Sequence, residues 1–198
     1  MKAIITGSSG LSKVIGDVIV STPYIGTIHL VSHVRVEDNI NWDDHDVFIN
    51  CAHVGFKQTE LLMDAYEAWN HDDSKTIINI SSRASQPNIS KGYLYAAQKA
   101  SLNHLSNNLV YNSDKMCRIT TMNLGLLNHK DLPSTSHNEV ASWIYAHCTG
   151  SKHIDIPEIT LQNSANYKQV QSDKESLRDI EKFSMAKLEF DKFTGMDT

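Results

Sequence analysis

The chain has 198 residues, which fits a single domain at the usual ~100–200 residues per domain. Hydrophobic residues make up 40% and charged residues 21%, a composition that excludes a disordered or fibrous chain. The net charge of −5 leaves no basic surplus for a phosphate backbone, so we expect no nucleic acid among its partners. No apolar run is long enough to span a membrane, and the opening sequence MKAIITGSSG does not continue as a signal peptide would. We therefore expect a cytoplasmic protein without membrane contact.

The cysteines and histidines do not favour a metal site or a disulfide framework. Cys51, Cys117 and Cys148 are odd in number and far apart, which favours free buried thiols. His29 and His33 are four residues apart, but they lie in or next to a predicted strand, and no pair has a spacing typical of zinc ligands. We expect no metal.

Short apolar runs that predict β-strands alternate along the chain with segments of helical periodicity. The predicted strands are Lys2–Thr6, Thr27–Val31, Asp46–Ala52, Lys75–Ile80, Arg118–Met122 and Ile154–Leu161. The predicted helices are Leu11–Ile19, Gln58–Trp69, Tyr93–Tyr111 and His137–Cys148. This alternation predicts a doubly wound, Rossmann-type α/β fold, with a mostly parallel sheet and helices on both faces.

The segment after the second predicted strand is short. Only about a dozen mixed residues lie between His33 and His45, where a full doubly wound domain has further helices and a strand. We therefore expect the fold to be shortened between its second and fourth strands.

The turn after the first strand is a candidate diphosphate site. Gly7-Ser8-Ser9-Gly10 precedes a predicted helix, so its backbone can approach a diphosphate and the helix amide groups can face the negative charge. The third glycine of the dinucleotide fingerprint is absent, because Ser12 or Lys13 stands where it would fall. A simple strand-to-helix turn is the alternative interpretation of these four residues.

A second group of residues has the spacing of an acid/base site. Tyr95 and Lys99 are four apart at the start of a long predicted helix, and Ser82 precedes Tyr95 by 13 residues, just after a strand. The two helical residues share one face, where an ammonium favours the phenolate and makes the phenol usable as a general acid or base. A serine hydroxyl nearby can hold the carbonyl oxygen that the phenol protonates. A surface Tyr–Lys pair is the alternative.

With these residues the sequence resembles the short-chain dehydrogenase/reductase family over about residues 1–162. The motifs occur in the family's order, as TGSSG, NCAH, INISS, YAAQK and NLG, at Thr6–Gly10, Asn50–His53, a segment ending in Ser82, Tyr95–Lys99 and Asn123–Gly125. The resemblance implies a dinucleotide-binding and catalytic domain over 1–162. Residues 163–198 then form a polar C-terminal extension, which we expect to be helical.

The family's residue roles carry over to matching positions. By the resemblance, Tyr95 is the proton donor, Lys99 also holds the nicotinamide ribose, and Ser82 orients the carbonyl. The same comparison implies that the cofactor is bound by Gly7, Ser9, Gly10, Leu11, Asn50, Ala52, Tyr95, Lys99 and Gly125.

The sequence departs from the family at several of these places. The family's catalytic asparagine has no match, and Gln58 and Thr59 are the nearby polar replacements. His53 replaces a glycine and Leu124 a proline at turns that line the cofactor. The segment Leu126–Asn138 is short where many relatives carry a substrate lid, so we expect a small substrate or one bound with the help of a partner subunit.

The end of the second strand bears on cofactor choice. An acidic residue there accepts hydrogen bonds from the ribose diol of NAD, whereas a hydroxyl and a base accommodate the phosphate of NADP. Ser32, His33 and Arg35 precede the first acid, Glu37, which favours NADP(H) over NAD(H). Asp38 matches the family's acidic residue near the adenine.

Two functions fit these residues. The first is an NAD(P)-dependent oxidoreductase that transfers a hydride between the nicotinamide and a small carbonyl or alcohol, with Tyr95 as general acid/base. The alternative is a dinucleotide-binding protein with little turnover that acts as a redox sensor or structural partner. The missing asparagine and third glycine favour the alternative, whereas the Ser82, Tyr95 and Lys99 set favours the enzyme.

The helical patterns also predict self-association. Met63, Tyr66, Leu102 and Leu109 extend the apolar surface of two helices beyond what one sheet face covers. In the resembled family the equivalent helices pair across a two-fold axis, so we expect a homodimer or homotetramer. A monomer with scattered surface apolar residues is the alternative.

Overall fold

The computed structural model describes residues 1–22, 30–86, 92–150 and 154–165. All six predicted strands and four predicted helices have counterparts there. The strands are β1 (Lys2–Thr6), β2 (Leu30–Val34), β3 (Val47–Asn50), β4 (Thr76–Ser82), β5 (Arg118–Leu124) and β6 (Glu158–Leu161). The helices are α1 (Gly10–Ser21), α2 (Lys57–Trp69), α3 (Tyr93–Asn112) and α4 (His137–Thr149).

The strands form one parallel sheet in the order β2-β1-β3-β4-β5-β6. The chain moves outward from β1 to β2, then crosses back over β1 to β3. This reversal creates a switch point between β1 and β3, beyond whose carboxyl ends ligands bind in doubly wound folds. The predicted doubly wound α/β fold is confirmed.

Helices cover both faces of the sheet and divide the core in two. Helices α1 and α4 pack on one face, around Ile15, Ile49 and Ile144, each fully buried. Helices α2 and α3 pack on the other face, around Phe48, Leu62 and Leu102. Strands β3, β4 and β5 are buried on both faces, as the central strands of a parallel sheet covered by helices are.

The predicted shortening is also confirmed. A single 3-10 turn, Trp42–Asp44, lies between β2 and β3. In the part of the chain that the structure describes, the sheet therefore lacks the strand that lies outside β2 in the common 3-2-1-4-5-6 order, and β2 is an edge strand. Trp42 packs edge-on against Phe48 and Trp69, which closes the core beneath the short connection.

The second strand lies later in the chain than predicted. We expected Thr27–Val31, but β2 is Leu30–Val34, paired with β1 from Lys2↔Leu30 to Thr6↔Val34. Residues 27–29 lie outside the described residues. Ser32 and His33 are therefore strand residues and do not belong to the turn after the strand. Apolar alternation could not fix this register, because an edge strand with a half-exposed pattern has no continuous apolar run.

The expectation that Leu102 and Leu109 point away from the sheet is wrong. Leu102 is fully buried and Leu109 nearly so, both in the core beneath α3. Helix α3 buries a narrow stripe that includes the polar side chains of Lys99 and Ser106. Its apolar residues therefore do not lie on one face, which is why periodicity misplaced them.

Four further observations concern the rest of the chain. Among the described residues, no helix is long and apolar enough to cross a membrane, and no cluster of three or more His, Cys, Asp or Glu is placed to hold a metal ion. All three cysteines are free, with Cys117 and Cys148 buried and Cys51 half-buried. Apart from residues 163–165, the predicted C-terminal extension lies outside the described residues.

Candidate active site

A cleft of about 390 Å³ opens at the carboxyl edge of the sheet, beside the switch point. The turn after β1, the end of β3, the end of β4, the first turns of α3 and the segment after β5 all contribute to it. Of the predicted site residues, the cleft is lined by Gly7, Ser9, Leu11, Ala52, Ser82, Tyr95, Lys99 and Gly125. The fold thus brings most of the predicted cofactor residues and the whole predicted catalytic set to one place.

The turn after β1 has the geometry of an anion cradle. Gly7 has a φ of +86° and Gly10 a φ of +55°, which favour glycine over residues with a side chain. A Cβ on Gly7 would also lie 3.1 Å from both the Ala52 Cβ and the Ser12 Oγ. Ser9 caps α1 without a side-chain hydrogen bond, so the first amide groups of the helix remain available to a diphosphate.

A buried threonine fixes the second wall of this cradle. The Thr6 hydroxyl accepts hydrogen bonds from the backbone N–H groups of Cys51 and Ala52, at 2.8 and 2.9 Å. These bonds hold the end of β3 against the end of β1. Ala52 is therefore held directly beside Gly7.

Ser82 is the last residue of β4, and its hydroxyl oxygen is already engaged as a hydrogen-bond acceptor. Its Oγ accepts a hydrogen bond from the backbone N–H of Ala84 at 3.1 Å, which caps the short 3-10 turn Arg83–Ser85. Because that bond uses an oxygen lone pair, the hydroxyl proton remains free to be donated. Ser82 can thus donate to an oxygen in the cleft.

Tyr95 and Lys99 lie one turn apart on α3, as predicted, but differ in burial. The Tyr95 side chain is 38% exposed, while Lys99 is 3% exposed. The Lys99 Nζ lies 5.7 Å from the centroid of the Tyr95 ring. Burial lowers the pKa of Lys99 to about 8, against an ordinary value of 10.5.

The ammonium of Lys99 is held by α2 and β4. Its Nζ donates to the Gln58 Oε1 at 2.6 Å and to the Ile80 carbonyl at 2.8 Å. Gln58 in turn donates from its Nε2 to the carbonyls of Asn50, at 2.8 Å, and Ile80, at 3.1 Å. Gln58 is therefore the polar residue of α2 that holds the lysine, whereas Thr59 hydrogen-bonds Ser101.

Asn50, predicted to lie beside the adenosine ribose, is buried beneath the cleft. Its side chain is fully enclosed and donates to the Gln58 carbonyl at 2.8 Å and to the Asn79 Oδ1 at 3.1 Å. The Asn50 side chain therefore supports Gln58 from below and does not line the cleft.

His53 is a site residue that we identified only as a replacement for glycine. Its ring packs edge-on against Tyr95, with centroids 4.9 Å apart and an interplanar angle of 73°. Burial against the cleft wall, together with the Lys99 charge, lowers the pKa of His53, and a hydrogen bond with Gln98 acts in the opposite direction. The lowered pKa favours the neutral imidazole.

The predicted adenosine residues lie outside the cleft lining. The ring of His33 donates from its Nδ1 to the Gly7 carbonyl at 2.7 Å, which ties β2 to the glycine turn. Arg35 is 82% exposed and forms an ion pair with Asp38 at 3.2 Å. The Arg35 backbone N–H and guanidinium hold the pKa of Asp38 below its usual value. Ser32 is half-buried within β2.

The segment after β5 closes the opposite side of the cleft. The Gly125 N–H donates to the Leu161 carbonyl at 2.9 Å, and a Cβ at Gly125 would lie 2.7 Å from the Gln162 Cβ. Glycine is needed at this position because Gln162, the residue after β6, lies so close to it. Leu124, which stands where the family has proline, is buried in β5.

No protein-family model and no curated protein sequence matches the chain significantly, but its fold matches solved structures. The closed form of a serine dehydrogenase complexed with NADP+ superposes with a TM-score of 0.65 at 14% identity, over 82% of this chain and 94% of that one. An alcohol dehydrogenase from Thermococcus sibiricus, complexed with 5-hydroxy-NADP, gives 0.62 at 14%, over 83% and 97%. A short-chain dehydrogenase from Streptomyces avermitilis gives 0.63 at 16%, over 100% and 97%.

These matches agree with the resemblance drawn from the motif order. The parallel sheet, the switch point and the placement of the cleft are common to dinucleotide-binding folds of this type. At such low identity the similarity concerns the fold and not the activity. The chain therefore has the fold of the short-chain dehydrogenase/reductases.

Proposed function

We propose that the protein is an NADP(H)-dependent oxidoreductase that interconverts a small carbonyl compound and its alcohol. The observation that carries this proposal is the convergence of Ser82, Tyr95 and Lys99 in one cleft with the glycine turn. Ser82 ends β4, whereas Tyr95 and Lys99 lie on successive turns of α3. A surface Tyr–Lys pair without a function would not share a cleft with a serine hydroxyl and an anion cradle.

The residues of the cradle fit a dinucleotide. Gly7 and Gly10 admit a diphosphate close to the backbone, and the first turn of α1 carries no acidic residue that would repel it. Lys99 supplies an ammonium at the nicotinamide end of the cleft. When bound, the cofactor supplies or accepts the hydride, which protein side chains cannot provide.

The side chains of this chain manage the proton. Ser82 donates its free hydroxyl proton to the carbonyl oxygen and so polarises the carbonyl. Tyr95 gives its phenolic proton to the same oxygen as the alcohol forms. The buried ammonium of Lys99 stabilises the resulting tyrosinate through its positive charge. In the reverse direction Tyr95 acts as the base.

The preference for NADP(H) is part of the proposal. It is supported by the basic, exposed Arg35 after β2 and by structural neighbours that contain NADP or an NADP analogue. Asp38 currently shares the Arg35 guanidinium, so the 2′-phosphate must compete with this carboxylate. For that reason we infer that NADP(H) is only moderately preferred over NAD(H).

A binding protein with little turnover remains the second candidate. The observation that favours it is the seal around Lys99, whose Nζ is bonded to Gln58 and Ile80 and is shielded from solvent. Such a protein would bind NADPH and respond to its redox state without reducing carbonyls.

One experiment separates the two functions. NADPH and NADH are titrated into the purified protein and followed by the change in their own fluorescence, because Trp42 and Trp69 belong to the core under α2 and not to the cleft. NADPH oxidation is then measured with a panel of small aldehydes and ketones, with Tyr95→Phe as control. Binding with Tyr95-dependent turnover supports the enzyme, binding alone supports the sensor, and no binding overturns both.

We further propose that the protein is a homodimer or homotetramer built on α2 and α3. Met63 and Tyr66 are half-buried on α2 and Tyr111 is 69% exposed on α3, which leaves apolar surface for a partner. Sedimentation at micromolar concentration, with Met63→Glu as the disrupting variant, tests this assembly. A monomer near 22.2 kDa would contradict it. The division into a domain over 1–162 and an extension over 163–198 is likewise our proposal.

A further inference from the structure

Tyr95 lies between a buried cation and an exposed imidazole. On one side the Lys99 Nζ stands 5.7 Å from the ring centroid, in an environment that leaves Lys99 3% exposed. On another side the His53 ring meets Tyr95 edge-on at 4.9 Å, and His53 is exposed to solvent. The phenol must recover a proton after each reduction, and among the described side chains these two neighbours are the candidates to deliver it.

Lys99 is poorly placed to resupply that proton. Two of its three N–H groups donate to the Gln58 Oε1 and the Ile80 carbonyl, and both of these oxygens are acceptors without a proton to return. Gln58 directs its own N–H groups to the Asn50 carbonyl and to the same Ile80 carbonyl. The described contacts of Lys99 thus fix the position of its ammonium and include no chain of donors leading to solvent.

His53 has what a relay needs. Its imidazole carries two ring nitrogens, of which one donates and the other accepts when the ring is neutral. Because it is exposed, it exchanges protons with solvent while its ring contacts Tyr95.

We propose that His53 is the proton relay between solvent and Tyr95. The inference rests on the proposed oxidoreductase function. Tyr95 transfers its proton to the carbonyl oxygen and becomes a tyrosinate. One nitrogen of His53 gives a proton to the tyrosinate while the other takes one from water or a buffer acid, so each reduction consumes one solvent proton and restores the phenol. The His53 ring is then the opposite neutral tautomer, and it returns to the first by exchanging its ring protons with solvent.

The relay belongs to this chain and not to the resembled family. The family has glycine at the position of His53, and glycine has no side chain that could carry a proton. The same chain lacks the family's asparagine and seals its lysine with Gln58. The substituted histidine therefore supplies a proton route to solvent beside a lysine whose hydrogen-bond partners among the described residues are two oxygen acceptors.

The test compares the first turnover with later ones. His53→Phe keeps an aromatic ring against Tyr95 but removes both nitrogens. In the variant loaded with NADPH and mixed with substrate, we expect the first equivalent of NADPH per site to be oxidised at the wild-type rate. Later turnovers should be slowed about tenfold or more, because the tyrosinate is reprotonated slowly. A purely structural role of His53 would slow the first turnover as well.

Rescue and a matched control complete the kinetic test. In His53→Ala, added imidazole should restore the steady-state rate, whereas equal concentrations of a non-titrating solute should not. His104→Phe changes an exposed histidine on α3, the helix that carries Tyr95. This variant should leave the rates of the first and of the later turnovers unchanged. Wild-type steady-state turnover by His53→Phe overturns the relay alone, and absence of turnover by the wild type overturns it together with the proposed function.

A measurement without cofactor gives an independent readout. The NMR signals of the His53 ring are identified by their loss in His53→Phe. Their titration midpoint should shift when Tyr95 is replaced by phenylalanine, since the phenol is then no longer a neighbour of the imidazole. An unchanged midpoint would show that the phenol makes no hydrogen bond to the imidazole and would overturn the proposal.

Discussion

The two halves of the cleft are built in opposite ways. At the catalytic half, Lys99 and Gln58 are buried and joined by hydrogen bonds to the carboxyl ends of β3 and β4. At the adenosine half, Arg35 and Asp38 form an exposed ion pair on the short connection after an edge strand. Buried polar contacts fix geometry because leaving them unmade is costly, whereas exposed pairs contribute little. The catalytic half should therefore respond strongly to single substitutions and the adenosine half weakly.

The largest expected effect is at Tyr95. Tyr95→Phe should lower kcat by about 10²–10⁴-fold, the usual contribution of a general acid. NADPH affinity should stay within a few-fold of wild type, because only the proton donor is lost. Tyr93→Phe, a 77% exposed neighbour on the same helix, is the control and should be neutral. A Tyr95→Phe enzyme with near wild-type kcat would contradict the assignment.

Gln58→Leu tests the rigidity of the catalytic half. The substitution leaves the Lys99 ammonium with one acceptor and removes the donors to two buried carbonyls. We expect the free energy of unfolding to fall by about 2–4 kcal/mol, measured by urea denaturation. Glu67→Gln, on the exposed face of the same helix, should change it by less than about 0.5 kcal/mol. Equal stability of both variants would mean that Gln58 does not hold Lys99.

Stability and activity should depend on pH in opposite directions around Lys99. Its pKa is about 8 in the folded protein and returns toward 10.5 on unfolding, so the unfolded chain binds more protons between these values. The free energy of unfolding should therefore rise with pH across that window, and Lys99→Met should abolish the rise. Turnover should instead fall above pH 8 as the ammonium loses its charge. A wild-type stability curve parallel to that of Lys99→Met would contradict this.

Gln58→Glu sharpens the same prediction. A carboxylate beside the Lys99 Nζ favours the charged ammonium and raises its pKa. The alkaline limb of the pH–rate profile should move to higher pH relative to wild type. An unmoved limb would assign it to another group.

The smallest effect is expected in the adenosine half. Arg35→Ala should raise the NADPH dissociation constant by roughly three- to tenfold, since the guanidinium is exposed and screened by solvent, and should leave NADH binding unchanged. Asp38→Asn should tighten NADPH binding, because it frees the guanidinium from its carboxylate partner. Equal losses for both cofactors in Arg35→Ala would show that Arg35 has a structural role.

Local patterns determined much of this molecule. The alternation of apolar runs and helical periodicity was enough to predict the parallel sheet, its two covered faces and the short connection after β2. The spacing of Tyr95 and Lys99 put them on one helical face, and strand ends identified Ser82 and the glycine turn. These features depend on residues close in sequence or on the general rule that parallel strands end at one edge.

Only the tertiary structure decided what surrounds the reacting groups. Gln58 reaches Lys99 across 41 residues, and His53 meets Tyr95 from another strand end. The register of β2 and the burial of Leu102 also depended on pairing and packing partners elsewhere in the chain. Sequence periodicity reports which faces are apolar, but a polar contact between distant segments follows from how the helices settle on the sheet.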